Sequence, residues 1–251
     1  MSAPGRVALA AVRTTNRLRL VLASASPARR KLLHAAGIEP EVLVSGVDES
    51  QVDPSTPEAL SLTLAQLKAR TVAERLRQDR SSSADASTFS GSSGGSLGDA
   101  EPHPVDGRTL VLGCDSVLAF DGEILGKPAD ADEAVRRWQA MRGKSGVLHT
   151  GHCLIDLSTG REVARVAATA VYFAEITDDE IVAYVATGEP LQVAGAFTID
   201  GLGGPFVDRV DGDPGTVIGL SLPLFRNLLG ELDLRITDLW SDGGTAPAGP
   251  H

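Results

Sequence analysis

The sequence predicts an α/β fold with antiparallel additions, on three observations. Short apolar runs of strand length alternate with segments of helical period. Helical segments end at glycines, as at Gly37, Gly143 and Gly188. Two long strand-like runs flank the turn residues Ser158-Thr159-Gly160, which reads as an antiparallel pair.

The elements follow in order. Leu18–Ala23 is a short apolar strand. Pro27–Ala36 follows as a helix, with Ser24 or Ser26 as N-cap and Pro27 at the first helical position. Glu41–Val44 reads as a second strand. A long helix spans Pro57–Arg77, its Leu60, Leu64, Leu67, Val72 and Leu76 falling roughly on one stripe. Of the nineteen residues 81–99, eight are Ser and four are Gly, too little apolar surface to offset ordering entropy; this reads as a disordered surface insert within one domain. Thr109–Phe120 is a buried strand broken by Asp115 and Ser116, and Asp121-Gly122 signals a hairpin. Then come a helix over Ala131–Arg142, strands over Val147–Leu157 and Arg161–Phe173, and a helix over Asp178–Thr187 capped by Thr177. Val193–Ile199, Phe206–Val210 and Val217–Ile218 are short strand candidates, and Leu222–Leu232 is a last helix.

Composition narrows the function. The 251 residues suffice for one large domain or two small ones at roughly 150 residues each. With 23 Lys+Arg against 33 Asp+Glu the net charge is −10, which argues against a duplex-binding face but leaves room for a local anion site. Aromatics are only 4%, so a base-stacking platform is disfavoured and no nucleic-acid partner is expected. No apolar run approaches the ~18 residues of a membrane span. Cys114 and Cys153 offer neither a disulfide framework nor a zinc pattern, and this fits a reducing cytoplasm. Residues 1–17 read as a loose N-terminal extension and residues 241–251 as a flexible tail.

Three anchors carry chemistry. Ser24-Ala25-Ser26-Pro27-Ala28-Arg29-Arg30 lies at a strand-to-helix junction. Helix N-termini bind anions, and two arginines there oppose the helix dipole at a cost of about 0.3–1 kcal/mol each unless an anion is present. Leu112-Gly113-Cys114-Asp115-Ser116-Val117 sets a carboxylate inside an apolar strand, where it must be paired, at a strand end or a metal ligand. Gly126-Lys127-Pro128 holds a lysine on a stiff exposed corner, and Asp48-Glu49 follows the second strand. Taken alone, Lys127 reads first as a surface lysine, and Asp48-Glu49 reads equally as surface charge.

Together the stretches LASASPARRKLL (22–33), VDES (47–50), LAQLKAR (64–70), LGCDSV (112–117), DGEILGKPAD (121–130), LHTGHCLI (148–155), TDDEIVAYVATGEPLQVAGAF (177–197), GLGGPFV (201–207) and DGDPGTVIGLSLP (211–223) resemble the Maf family, the septum formation inhibitor proteins. These are nucleoside triphosphate pyrophosphatases related in fold to the inosine triphosphate pyrophosphatases. The resemblance implies an elongated mixed β-sheet flanked by helices, with two lobes around a central cleft. It makes residues 18–232 one catalytic domain with an insert at about 80–107. It implies that Ser24, Arg29 and Lys127 grip the triphosphate, with Ser26 and Arg30 beside them, and that Lys68 points into the cleft. Glu49 and Asp115 match the acidic pair associated with a divalent cation, Mg²⁺ or Mn²⁺, and Asp115 matches the general base. Family members are often dimers, so a homodimer is expected by analogy.

This sequence departs from the pyrimidine-preferring members. They carry Arg where Ala28 stands and Gln where Asp200 stands; Gln192-Val193 replaces Asp-Lys, and Gly215-Thr216 replaces Ser-Asn. Ionised Asp200 only accepts hydrogen bonds, so it suits a base with exocyclic N–H donors better than thymine or uracil. The expected activity is hydrolysis of nucleoside triphosphates to the monophosphate and pyrophosphate by metal-assisted attack of water at the α-phosphate, with the base preference open and clearance of non-canonical or modified nucleotides as one use of it. The alternative is a nucleotide-binding regulator of cell division with incidental hydrolysis.

Overall fold

The computed structural model describes residues 18–49, 52, 56–88 and 107–240, without the side chains of 82–88. The N-terminal extension, the tail and most of the insert lie outside them. Among the described residues there are seven strands in one mixed sheet, ordered β2-β1-β3-β5-β6-β7 with β4 also on β3. These are β1 (Arg19–Leu22), β2 (Glu41–Val42), β3 (Thr109–Phe120), β4 (Glu123–Leu125), β5 (Ser145–Asp156), β6 (Glu162–Phe173) and β7 (Val207–Asp211). β1 runs parallel to β2 and β3, and the other pairings are antiparallel. The helices are α1 (Pro27–Ala35), α2 (Pro57–Thr88), α3 (Ala131–Met141), α4 (Asp178–Ala186), α5 (Pro214–Ile218) and α6 (Leu222–Glu231).

Strand alternation divides the core. On one face, α1 and α6 cover Leu20, Leu22, Leu110, Leu112 and Leu154. Further along that face α3 and α4 cover Leu118 and Leu148 around Trp138, whose ring meets Phe173, Tyr184 and Phe206 edge-on and whose Nε1 donates to Ala196 O at 2.8 Å. Between these clusters the face turns polar at Ser116 and Thr150, which pair across β3 and β5. On the other face α2 lies flat over Val111, Cys153 and Ile155. Cys114 and Cys153 are both buried free thiols in separate apolar clusters. Among the described residues no helix is long and apolar enough to cross a membrane.

Three expectations need correction. The helix expected to end at Arg77 runs on to Thr88, so the first part of the insert is helical. Residues 78–88 contain no Gly or Pro to stop it, and Arg80 is tied to Thr109 Oγ1 at 2.9 Å. Val193–Ile199 is not a strand but contains a 3₁₀ turn over Ala194–Ala196, with φ +70° at Gly195 and +61° at Ala196. Val217–Ile218 lies in α5, where Asp213 caps the helix by accepting from Gly215 N, Pro214 opens it and Gly219 at φ +113° closes it.

Candidate active site

The site grows from a gap in the sheet. One edge of β3 is fully paired with β5. Along its other edge β1 pairs only as far as Leu112, and β4 joins only at Leu118. Gly113–Val117 therefore have no strand partner on that side among the described residues, and Asp115 sits in the middle of the notch. Where β1 ends the chain turns into α1, which places Ser24 and Ser26 on one bank. On the other bank the β3–β4 pairing carries the chain back along β3 before Gly126-Lys127-Pro128 leaves it. Gly126 O is held there by Arg137 Nη1 at 2.6 Å and Gly195 N at 3.1 Å. Lys127 is exposed and makes no ion pair among the described residues.

Asp115 points to the α2 face. Gly113 and Gly151 flank it there, and α2 approaches so closely that a Cβ on either would lie 2.3 Å from Ala65 O or 2.2 Å from Ser61 O. This approach lets Lys68 Nζ reach Asp115 Oδ1 at 2.5 Å and Glu49 Oε1 at 2.6 Å. Glu49 comes from the loop after β2, which α2 also fixes: Arg75 donates to Val44 O and Ser45 O. Asp115 and Lys68 are nearly closed off, while Glu49 reaches solvent.

Arg29 is on the polar floor. It is buried and donates through Nε to Gly219 O at 2.7 Å, through Nη1 to Ser24 Oγ at 2.9 Å and through Nη2 to Ser116 Oγ at 3.1 Å. Ser116 in turn meets Thr150 Oγ1, which donates to Thr216 O. Arg29 thus ties β1, β3 and the α5–α6 junction together, and most of its donors are spent inside the protein. Ser26 caps α1, accepting from Arg29 N. Arg30 turns away from the notch to Glu39 and His34. The structure therefore does not bring it beside Ser24. One side chain along α1 from Arg29 is about 100° around the helix, so only one of the two can face the floor. Asp200 is exposed in a loop wound around Glu189, whose carboxylate accepts from Tyr184 Oη, Thr198 Oγ1, Leu202 N and Gly203 N. Glu189 escaped the sequence reading because its partners are amides and hydroxyls of a loop with no charge signal.

Two buried carboxylates show which one is poised for chemistry. Asp156 is fully buried, but against that burial the bonds from Thr159 Oγ1, Ser158 N and Arg108 hold it below the usual carboxylate range. For Asp115 burial dominates and raises the pKa, while Lys68 and Arg29 pull against it. An incompletely compensated carboxylate in a cleft marks a functional candidate.

His152 closes the floor. Its Nε2 accepts from Ser221 N at 2.9 Å and its Nδ1 lies 3.0 Å from Thr150 O, which requires the neutral ring. Burial, aided by Arg29, depresses its pKa to about 4. The folded value lies below the unfolded value of about 6.5, so the associated stability is complete above about pH 6.5 and is lost as pH falls toward 4. The loss amounts to about 3 kcal/mol. Urea melts at pH 7.5 and 4.5 should show this loss in the wild type and a smaller one in His152→Gln; equal losses would refute the assignment.

The family described as Maf-like protein matches residues 19–232. A nucleoside triphosphate pyrophosphatase of Salinispora tropica is 61% identical over 226 residues, covering 90% of this chain and 89% of that protein. The protein of the same name from Streptomyces coelicolor is 55% identical, covering 90% of this chain and 96% of its own length. One from Nostoc punctiforme is 49% identical, covering 88% and 96%.

Proposed function

This chain belongs to the Maf-like protein family, and from that membership and the notch geometry we infer that it is a nucleoside triphosphate pyrophosphatase. Water attacks the α-phosphorus, the P–O bond to the β-phosphate breaks, and pyrophosphate leaves with the bonding pair. A nucleoside monophosphate remains. The observation that carries this reading is Asp115: a buried carboxylate of raised pKa on a stretch of β3 open along one edge, bonded to Lys68 and within the field of Arg29.

Each residue has a task. Asp115 accepts the proton of the attacking water, a role its raised pKa favours. The opening turn of α1 holds no acidic side chain, so with Ser24 and Ser26 it receives phosphate oxygens. Lys127 neutralises the departing pyrophosphate as a point charge. Arg29 adds its charge from below and keeps Ser24 in place. Glu49 and Asp115 would hold a divalent cation, Mg²⁺ or Mn²⁺, since their oxygens already converge on one cationic atom, Lys68 Nζ. With two carboxylates offered by the protein, the other positions of such an ion would fall to waters and phosphate oxygens. When bound, that ion supplies charge neutralisation at the phosphates.

Asp200 takes part in base selection as an acceptor, with Ala28 leaving open the space an arginine would fill. The expected ranking in a pyrophosphate-release panel with Mg²⁺ or Mn²⁺ puts a triphosphate whose base carries exocyclic N–H donors first. Highest kcat/KM for dTTP and UTP would sink this base preference, and no release from any triphosphate would sink the activity.

A further inference from the structure

Lys68 bridges two carboxylates through one atom. Its Nζ lies 2.5 Å from Asp115 Oδ1 and 2.6 Å from Glu49 Oε1, and its side chain is 12% exposed. A divalent cation binds carboxylate oxygens at about 2.0–2.1 Å for Mg²⁺. An ion bound to both oxygens would lie at most about 4.6 Å from the ammonium, the sum of the two contact lengths. Two positive groups on the same pair of oxygens in so enclosed a place repel each other, so charge keeps them from occupying it together. Two carboxylates also exceed one ammonium by a full negative charge, so this place fits a doubly charged ion better than its resident.

We propose that the Lys68 ammonium is a placeholder for the divalent cation, which Lys68 must vacate when the metal binds between Glu49 and Asp115. Before substrate arrives it compensates the buried Asp115, which would otherwise be left charged and unpaired. The helix beneath it does not move, because Ala65 and Ala69 rest directly on Gly113. The flexible four-carbon stem swings instead, and the released ammonium becomes available to a phosphate oxygen. This rests on the reading of Glu49 and Asp115 as the metal carboxylates.

The consequence runs against the usual expectation for a residue of the catalytic machinery. Removing Lys68 should tighten metal binding even as it impairs turnover. The test uses the full chain and Mn²⁺ alone, without nucleotide, at pH 8, with free Mn²⁺ counted by electron paramagnetic resonance. Lys68→Met should bind Mn²⁺ at least tenfold more tightly than the wild type, and Glu49→Gln should bind it more weakly. A Lys68→Met chain that melts normally and binds Mn²⁺ no more tightly than the wild type overturns the proposal. Should Lys68→Met fail to fold, the wild type answers by itself: with ¹³C-labelled lysine, the Lys68 Cε resonance should shift as Mg²⁺ saturates the site, and an unmoved resonance at saturation overturns the proposal. Metal exchange without pyrophosphate release from any triphosphate would overturn the activity and leave the exchange standing. Release without exchange would do the reverse.

Discussion

Asp115→Asn should reduce pyrophosphate release by about 10³-fold, within the 10²–10⁴ range of a lost general base, while nucleotide binding persists. The amide keeps the size of the side chain but cannot take a proton or carry charge. Ser24, Arg29 and Lys127 are untouched and Glu49 still offers the cation a carboxylate, so at saturating Mg²⁺ KM should change far less than kcat. Lys68 loses an ion pair but can still donate to the amide oxygen and keeps Glu49, which reaches solvent, so the fold should survive with a modest drop in melting temperature. Stopped assays on a chain verified by circular dichroism read the effect. Retention of more than a tenth of wild-type kcat would remove Asp115 from the reaction. The same variant separates catalysis from regulation in cells: a division phenotype that survives loss of turnover would belong to nucleotide binding.

Much of the fold was legible where local signals agreed. β3 follows its apolar run residue for residue, and Thr177 caps α4 as read, in a capping box that Glu180 completes. Asp121 and Gly122 both take positive φ in the expected hairpin. Misreadings came where β-branched residues outvoted punctuation. Val217–Ile218 looked like a strand, yet Asp213-Pro214 before it and Gly219 after it are helix boundary signals. Over Val193–Ile199, Gly195 packs against Leu118, where a Cβ would lie 2.8 Å from its side chain, and the backbone turns there instead of extending.

The site was legible in its charges but not in their directions. Glu49 stood out after the second strand and Asp115 inside an apolar run, Lys68 entered only through the family resemblance, and the structure draws the three together. Arg29 was visible too, but its partner Gly219 lies 190 residues away, so no local pattern could show that its donors are spent on the floor. Arg30 carries the same chemistry one residue on and faces Glu39. The difference between them is helical phase against a distant neighbour, which sequence adjacency conceals.

Gly113→Ala and Gly151→Ala should be the most damaging of the small substitutions, lowering both stability and turnover. Glycine within a strand ordinarily reads as a weak point. Here each is where α2 touches the sheet. A methyl at 151 would meet Ser61 O at 2.2 Å and Leu62 N at 2.7 Å; one at 113 would meet Ala65 O at 2.3 Å and Ala69 N at 2.8 Å. These are backbone atoms of a long helix, which cannot rotate aside, so α2 must lift as a body. Overpacking of this kind costs about 1–3 kcal/mol, or a fall of about 2–12 °C in Tm at about 2–4 °C per kcal/mol. Lifting α2 also draws Lys68 from Asp115, so kcat should drop along with Tm. Gly230→Ala supplies the contrast: it lies in α6 with nothing within 4 Å of an added Cβ, and should leave activity unchanged and stability equal or slightly higher. Thermal melts and pyrophosphate release on the three variants decide the matter. If Gly113→Ala melted and turned over like the wild type, α2 would not be resting on β3. The reach of Lys68 would then depend on something other than the missing side chains beneath it.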